Sequence, residues 1–166
     1  MRSAEVRSEI AMSDAGGPYL FDVGVIALAH TDAPVHEAAL SYVRDAIAGE
    51  IDAIVPYPAL FGAHTVLTTY YGRSNAEASR LLENLLDAKR IHWYDRLPEG
   101  VVRGGFERAR TVNINGWDGY YAQVAVAEGA NTIVTIDHDF EQFDAFETEI
   151  ILSPDEFREL NRFLEG

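Results

Sequence analysis

The chain has 166 residues, 48% of them hydrophobic, which fits one globular domain with a substantial core. Formal net charge is −14, Lys89 is the single lysine, and there is no cysteine, so disulfides, thiolate metal sites and cysteine nucleophiles are excluded. No apolar run approaches the roughly 18 to 20 residues of a bilayer-spanning helix, and no membrane partner is expected.

So acidic a surface has two readings. Its charge opposes RNA phosphates at low salt. Surplus Asp and Glu, with Arg in place of Lys, resembles proteins of salt-accumulating halophiles, in which molar salt shortens the Debye length to roughly 3 Å. The alternative is an acidic protein that does not bind nucleic acid.

Residues 1–17 mix Arg and Glu with Ser, Ala and Gly and lack the apolar stretch of a signal peptide. They predict a flexible leader on a cytoplasmic protein, with the domain at 18–166. Tyr19-Leu20-Phe21, after Gly16-Gly17-Pro18, predicts a first strand that Asp22 closes, and 23–28 a short helix. Helical spacing over 33–48 stops at Gly49, and 51–55 reads as a strand ended by Pro56. The segment 59–71 is apolar on most faces and predicts a deeply buried helix. Ser74-Asn75-Ala76-Glu77 is a capping-box pattern opening the next helix.

A short strand follows at 91–94, then helices at 98–111 (despite Gly104-Gly105) and 117–128. The β-branched segment 132–136 predicts a strand ending at Asp137, and 149–152 a last strand. Ser153-Pro154-Asp155-Glu156 opens a terminal helix. Short strands alternating with helices predict a three-layer α/β/α domain around a mostly parallel sheet.

In such a sheet, ligands bind beyond the carboxyl ends of the strands. Asp22 and Asp137 close strands, Asp139 follows, and Asp118 begins a helix, so all four could meet at that edge. Gathered carboxylates raise one another's pKa unless a cation neutralises them. Oxygen ligands without Cys or paired His favour Mg²⁺ or Mn²⁺, which suit phosphodiester hydrolysis. Taken singly, Asp118 could merely cap its helix, and Asp137 and Asp139 could serve a turn.

These residues carry a family likeness. The run from Tyr19 to Ile26 resembles the opening strand of PIN domains, hydrophobics followed by Asp. Trp117-Asp118-Gly119-Tyr120-Tyr121-Ala122-Gln123-Val124-Ala125 resembles their "D-A-x-I-A-x-x-A" helix. Gly129-Ala130, followed by Thr135-Ile136-Asp137-His138-Asp139-Phe140, resembles their "G-A-x-x-x-x-T-x-D-x-D-F" ending. The likeness extends over about 18–152. It implies a PIN-type, VapC-like ribonuclease using Mg²⁺ or Mn²⁺, with tRNA or rRNA as substrate, an antitoxin protein as partner, and a homodimer. Carried over, Asp22, Asp118 and Asp137 would be metal ligands, Asp139 a supporting acid, and Thr135 a hydroxyl that orients a carboxylate or the water.

One position departs from the family pattern. Its usual Glu early in the helix after the second strand is missing, and Gly62, Ala63 or His64 fills the slot. His64 could ligate a metal or act as a base; a lone His in an apolar helix is more often packed in the core. The missing ligand leaves a degenerate PIN fold, kept for binding or scaffolding, as the alternative. A small-molecule phosphatase using the same acids is the remaining rival. His92-Trp93-Tyr94, Arg73 and the arginines at 103, 108 and 110 are further candidates for RNA contact.

Overall fold

Strands of only three or four residues build this molecule, and their burial explains why so little sequence suffices. The computed structural model describes residues 17–166; the predicted leader falls, apart from Gly17, outside the described residues. Five strands, β1 (Tyr19–Phe21), β2 (Ala53–Pro56), β3 (His92–Tyr94), β4 (Thr132–Thr135) and β5 (Glu147–Ile150), form one sheet in the order β3-β2-β1-β4-β5. Every pairing is parallel, with Leu20 opposite Ile54 on one side and Ile133 on the other. The central β1, β2 and β4 are buried on both faces and read as continuous apolar runs, as covered parallel strands do.

Seven helices are described: α1 (Val23–Ala29), α2 (His36–Ala48), α3 (Tyr57–Thr69), α4 (Asn75–Leu86), α5 (Glu99–Val112), α6 (Gly116–Ala127) and α7 (Pro154–Glu165). A 3₁₀ turn occupies Asp139–Gln142. Both capping boxes form, at Ser74 with Glu77 and at Ser153 with Glu156. Each predicted strand and helix is present, and the central sheet is wholly rather than mostly parallel.

Two boundaries and the burial of one helix differ for identifiable reasons. Helix α2 starts at His36 rather than at 33 because Val35 lies in the left-handed region at φ 62°, a costly conformation for a β-branched residue. Strand β5 begins two residues earlier than expected, where the Glu147 amide donates to Asn131 O at 2.8 Å. Its exposed glutamates alternate with inward residues, the pattern of a charged edge strand. Helix α3 is buried along one face only: Ala59, Leu60, Ala63 and Leu67 are inside, while Phe61 is 77% exposed. Its second apolar face opens toward the carboxyl edge of the sheet.

Glycines set the seat of α6. A Cβ on Gly119 would stand 2.2 Å from Gly105 O, and one on Gly105 would stand 3.0 Å from Tyr120 Cα. Helices α5 and α6 therefore touch backbone to backbone. Gly104-Gly105, tolerated within a helix at some cost in propensity, is explained by this contact. The contact fixes the depth of the residue beside Gly119, which is Asp118.

Candidate metal centre

Asp22 is the anchor of the site. Following β1, it caps α1 by accepting from the Val23 amide at 2.8 Å through Oδ1. Its other oxygen, Oδ2, accepts from the Thr135 hydroxyl at 2.9 Å. Its own amide donates to Val134 O on β4, so the side chain is locked to both central strands. Only 7% exposed, Asp22 is pushed up to about 7 by burial and then by the Asp137 carboxylate, against the lowering hydrogen bonds from Thr135 and Val23.

Asp118 approaches from α6. Its helix is capped by Asn115, whose Oδ1 accepts from the Asp118 amide at 2.8 Å while Nδ2 donates to Asp118 Oδ2 at 3.1 Å. Asp118 is therefore not the cap. Held in the first turn and half-buried, its carboxyl is pushed up to about 7 by burial, then by the charges of Asp22, Asp137 and Asp139.

Asp137 and Asp139 sit where the chain leaves β4. Asp137 Oδ1 accepts from the Asp139 amide at 3.0 Å, and the Asp137 amide donates to Thr135 Oγ1 at 3.3 Å. Burial raises the Asp137 carboxyl above its ordinary value, partly offset by the Asp139 N–H. Tyr121, beside Asp22 and Asp118, has its phenol raised by burial and by the Asp22 charge. Four aspartates from three chain segments thus share one electrostatic neighbourhood.

A cleft of about 380 Å³ opens onto this neighbourhood, lined among others by Asp22, Asp118, Asn115, Thr65 and Gly62. Of the three residues that could fill the slot of the missing Glu, only Gly62 lines it. Ala63 is fully buried, and His64 lies on the far side of α3, its Nε2 3.1 Å from Ser79 Oγ. His64 is neither a packed core residue nor beside the aspartates. A Cβ on Gly62 would meet Val23 Cγ2 at 3.0 Å.

The donor set consists of carboxylate, hydroxyl and amide oxygens, which suits a hard divalent cation. Among the described residues, no three His, Asp or Glu side chains stand close enough to enclose an ion as they are.

The other candidates for RNA contact lie elsewhere or are engaged locally. Along α5, Arg103 pairs with Glu99 at 2.6 Å and Arg110 with Glu107, while Arg108 donates across to Gln123 of α6 at 2.8 Å. Arg73 donates to His30 O at 3.0 Å. Trp93 stacks on Tyr57, and His92 meets Glu128. Asn115, Thr65 and Trp117 of the cleft were not singled out as site residues by the sequence; only the Asn-x-x-Asp spacing at 115–118 hinted at the first.

No family model matches the chain, and no curated protein matches it in sequence. Among solved structures, it is similar to FitAcB from Neisseria gonorrhoeae, with TM-score 0.53 and 19% identity, covering 79% of this chain and 96% of that one. It is also similar to PAE2754 from Pyrobaculum aerophilum, with TM-score 0.55 and 21% identity, covering 81% of this chain and 90% of that one. At such identity the likeness speaks for the fold: an α/β, three-layer PIN-like architecture around a parallel sheet. No helix among the described residues is long and apolar enough to cross a membrane.

Proposed function

We propose that this PIN-like domain is a divalent-metal-dependent endoribonuclease, of the kind found as the toxin of a VapBC-type pair. The observation that carries the reading is the convergence of Asp22 and Asp118 on one cleft at the carboxyl edge of the sheet, where burial first, and then neighbouring carboxylates (Asp137 for Asp22; Asp22 and Asp137 for Asp118), push both up to about 7. Structural stability alone gives no reason to bury Asp22 beside other carboxylates; a bound cation does.

Asp22, Asp118 and Asp137 would hold Mg²⁺ or Mn²⁺, with Asp139 as the supporting acid. When bound, the ion would stabilise negative charge on a phosphodiester and activate water for attack. Thr135 fixes the rotamer of Asp22 through its hydroxyl, and Asn115 does the same for Asp118 through its amide. Asp139, exposed and near enough for its charge to act on both Asp118 and Asp137, would be the supporting acid beside them. An antitoxin, a homodimer and a tRNA or rRNA substrate follow from the same reading. The net charge of −14 adds that the enzyme works in a cytoplasm of high salt, where repulsion between protein and RNA is short-ranged. The test is cleavage of structured RNA in molar KCl with Mg²⁺ or Mn²⁺. Asp22→Asn should abolish it, and undiminished cleavage by that variant would refute the assignment.

A second reading, a PIN fold retained for binding alone, is favoured by Gly62 in the slot of the missing Glu and by the spacing of the acids. It predicts no metal-dependent cleavage by the wild type at any salt.

A further inference from the structure

Beside the carboxylate cleft lies a second pocket, of about 360 Å³, with almost wholly apolar walls. Trp117 lines both, and it adjoins Asp118 in sequence. Tyr121 stacks on Trp117 at 6.0 Å and 21°, while Tyr120 meets it edge-on at 6.2 Å and 79°. These contacts hold the indole as a rigid platform, yet Trp117 remains 59% exposed. Across the pocket stand Phe106 and Leu97, 61% and 58% exposed.

Charge narrows the occupant. Among the described residues, neither pocket is lined by an Arg or a Lys. Beyond the phosphate at the carboxylates, a strand held there finds no cationic side chain for its other phosphates, so contacts in the apolar pocket are left to its sugars and bases, and of these the bases suit an aromatic wall. Every base has a π-face, and stacking on an aromatic side chain is the ordinary means of holding an unpaired one.

We propose that this pocket takes an unpaired nucleobase of the strand whose phosphate sits at the carboxylates, stacked on Trp117 and walled by Phe106. The proposal rests on the ribonuclease reading for its choice of ligand. It makes the substrate single-stranded at the cleavage site, a loop or a bulge rather than a helix. It also makes recognition tolerant of salt, because stacking survives ionic strengths that suppress phosphate contacts.

The experiment measures binding of fluorescein-labelled oligoadenylate and of an abasic strand of equal length and charge. It is done by anisotropy in molar KCl, with Ca²⁺ in place of Mg²⁺. Wild type should prefer the base-bearing strand by about five- to a hundredfold, the range that stacking of one base supplies. Trp117→Ala should remove the preference and Trp117→Phe should keep most of it. Phe106→Ala, at an exposed position that the fold does not need, should weaken it if the Trp117 variant fails to fold. Equal affinity of wild type for the two strands, as docking of a protein segment at this pocket would leave it, overturns the proposal; so does binding of neither strand. A clear base preference without Mg²⁺-dependent cleavage would refute the hydrolytic reading while supporting the stacking site. Cleavage without a base preference would do the reverse.

Discussion

The hydroxyl of Thr135 donates to Asp22 Oδ2 at 2.9 Å, joining residues 113 positions apart at adjacent strand ends. Thr135 is fully buried and Asp22 nearly so, which makes this the least solvated polar contact of the site. Thr135→Val conserves shape and deletes the donor. A buried acceptor left with one partner fewer costs about 1–3 kcal/mol, so the melting temperature should fall in denaturation experiments. The affinity for Mn²⁺ should fall with it, because Asp22 loses its fixed rotamer.

Acidification should stabilise the metal-free protein. The folded-state pKa values of Asp22 and Asp118 are pushed up from 3.8 to about 7, so between these limits the folded chain binds more protons than the unfolded one. Stability contributed by protonation is therefore complete below about pH 4 and is lost as pH rises through about 7. In EDTA, melting temperature at about pH 5 should exceed that at about pH 8, and saturating Mg²⁺ should narrow the gap. A melting temperature that climbs steadily with pH would contradict this.

Gly119→Ala should be severe although the substitution is small. Its new methyl would stand 2.2 Å from Gly105 O, a backbone atom that cannot rotate away. Helix α6 would have to lift from α5 at a cost of about 1–3 kcal/mol or more, carrying Asp118 with it. Circular dichroism melting checks the loss of stability, and metal titration checks the displacement.

Gly62→Glu offers a gain-of-function test. The position lines the cleft with Asp22 and Asp118, and the obstacle to a side chain there is Val23 Cγ2 at 3.0 Å. Paired with Val23→Ala to make room, the new carboxylate should tighten Mn²⁺ binding several-fold. Unchanged affinity in calorimetry would mean that Gly62 does not occupy the slot of the missing ligand.

Much of this architecture could be read from the chain. Covered parallel strands leave continuous apolar runs such as Ala53–Pro56, and both Ser-x-x-Glu boxes announce their helices because the caps are local. The order of aspartates along the chain was equally legible, since strand ends point to one edge. Depth was not. The sequence of α3 shows apolar residues on every side, but whether Phe61 faces core or cleft depends on what packs against the helix. The same holds for the slot of the missing Glu: Gly62 and His64 are two positions apart, so they point to different faces, and only tertiary packing decides which meets Asp22. Gly105 and Gly119, read singly, weaken helices; their mutual contact explains both.

Binding of Mn²⁺ is the most direct measurement, followed by electron paramagnetic resonance in molar KCl for the wild type and for Asp22→Asn, Asp118→Asn and Asp137→Asn. The wild type should take up the ion, and each variant should bind it at least about tenfold more weakly, a difference of about 1.4 kcal/mol. No uptake by the wild type, or equal uptake by all four proteins, would contradict a shared carboxylate site for a divalent ion.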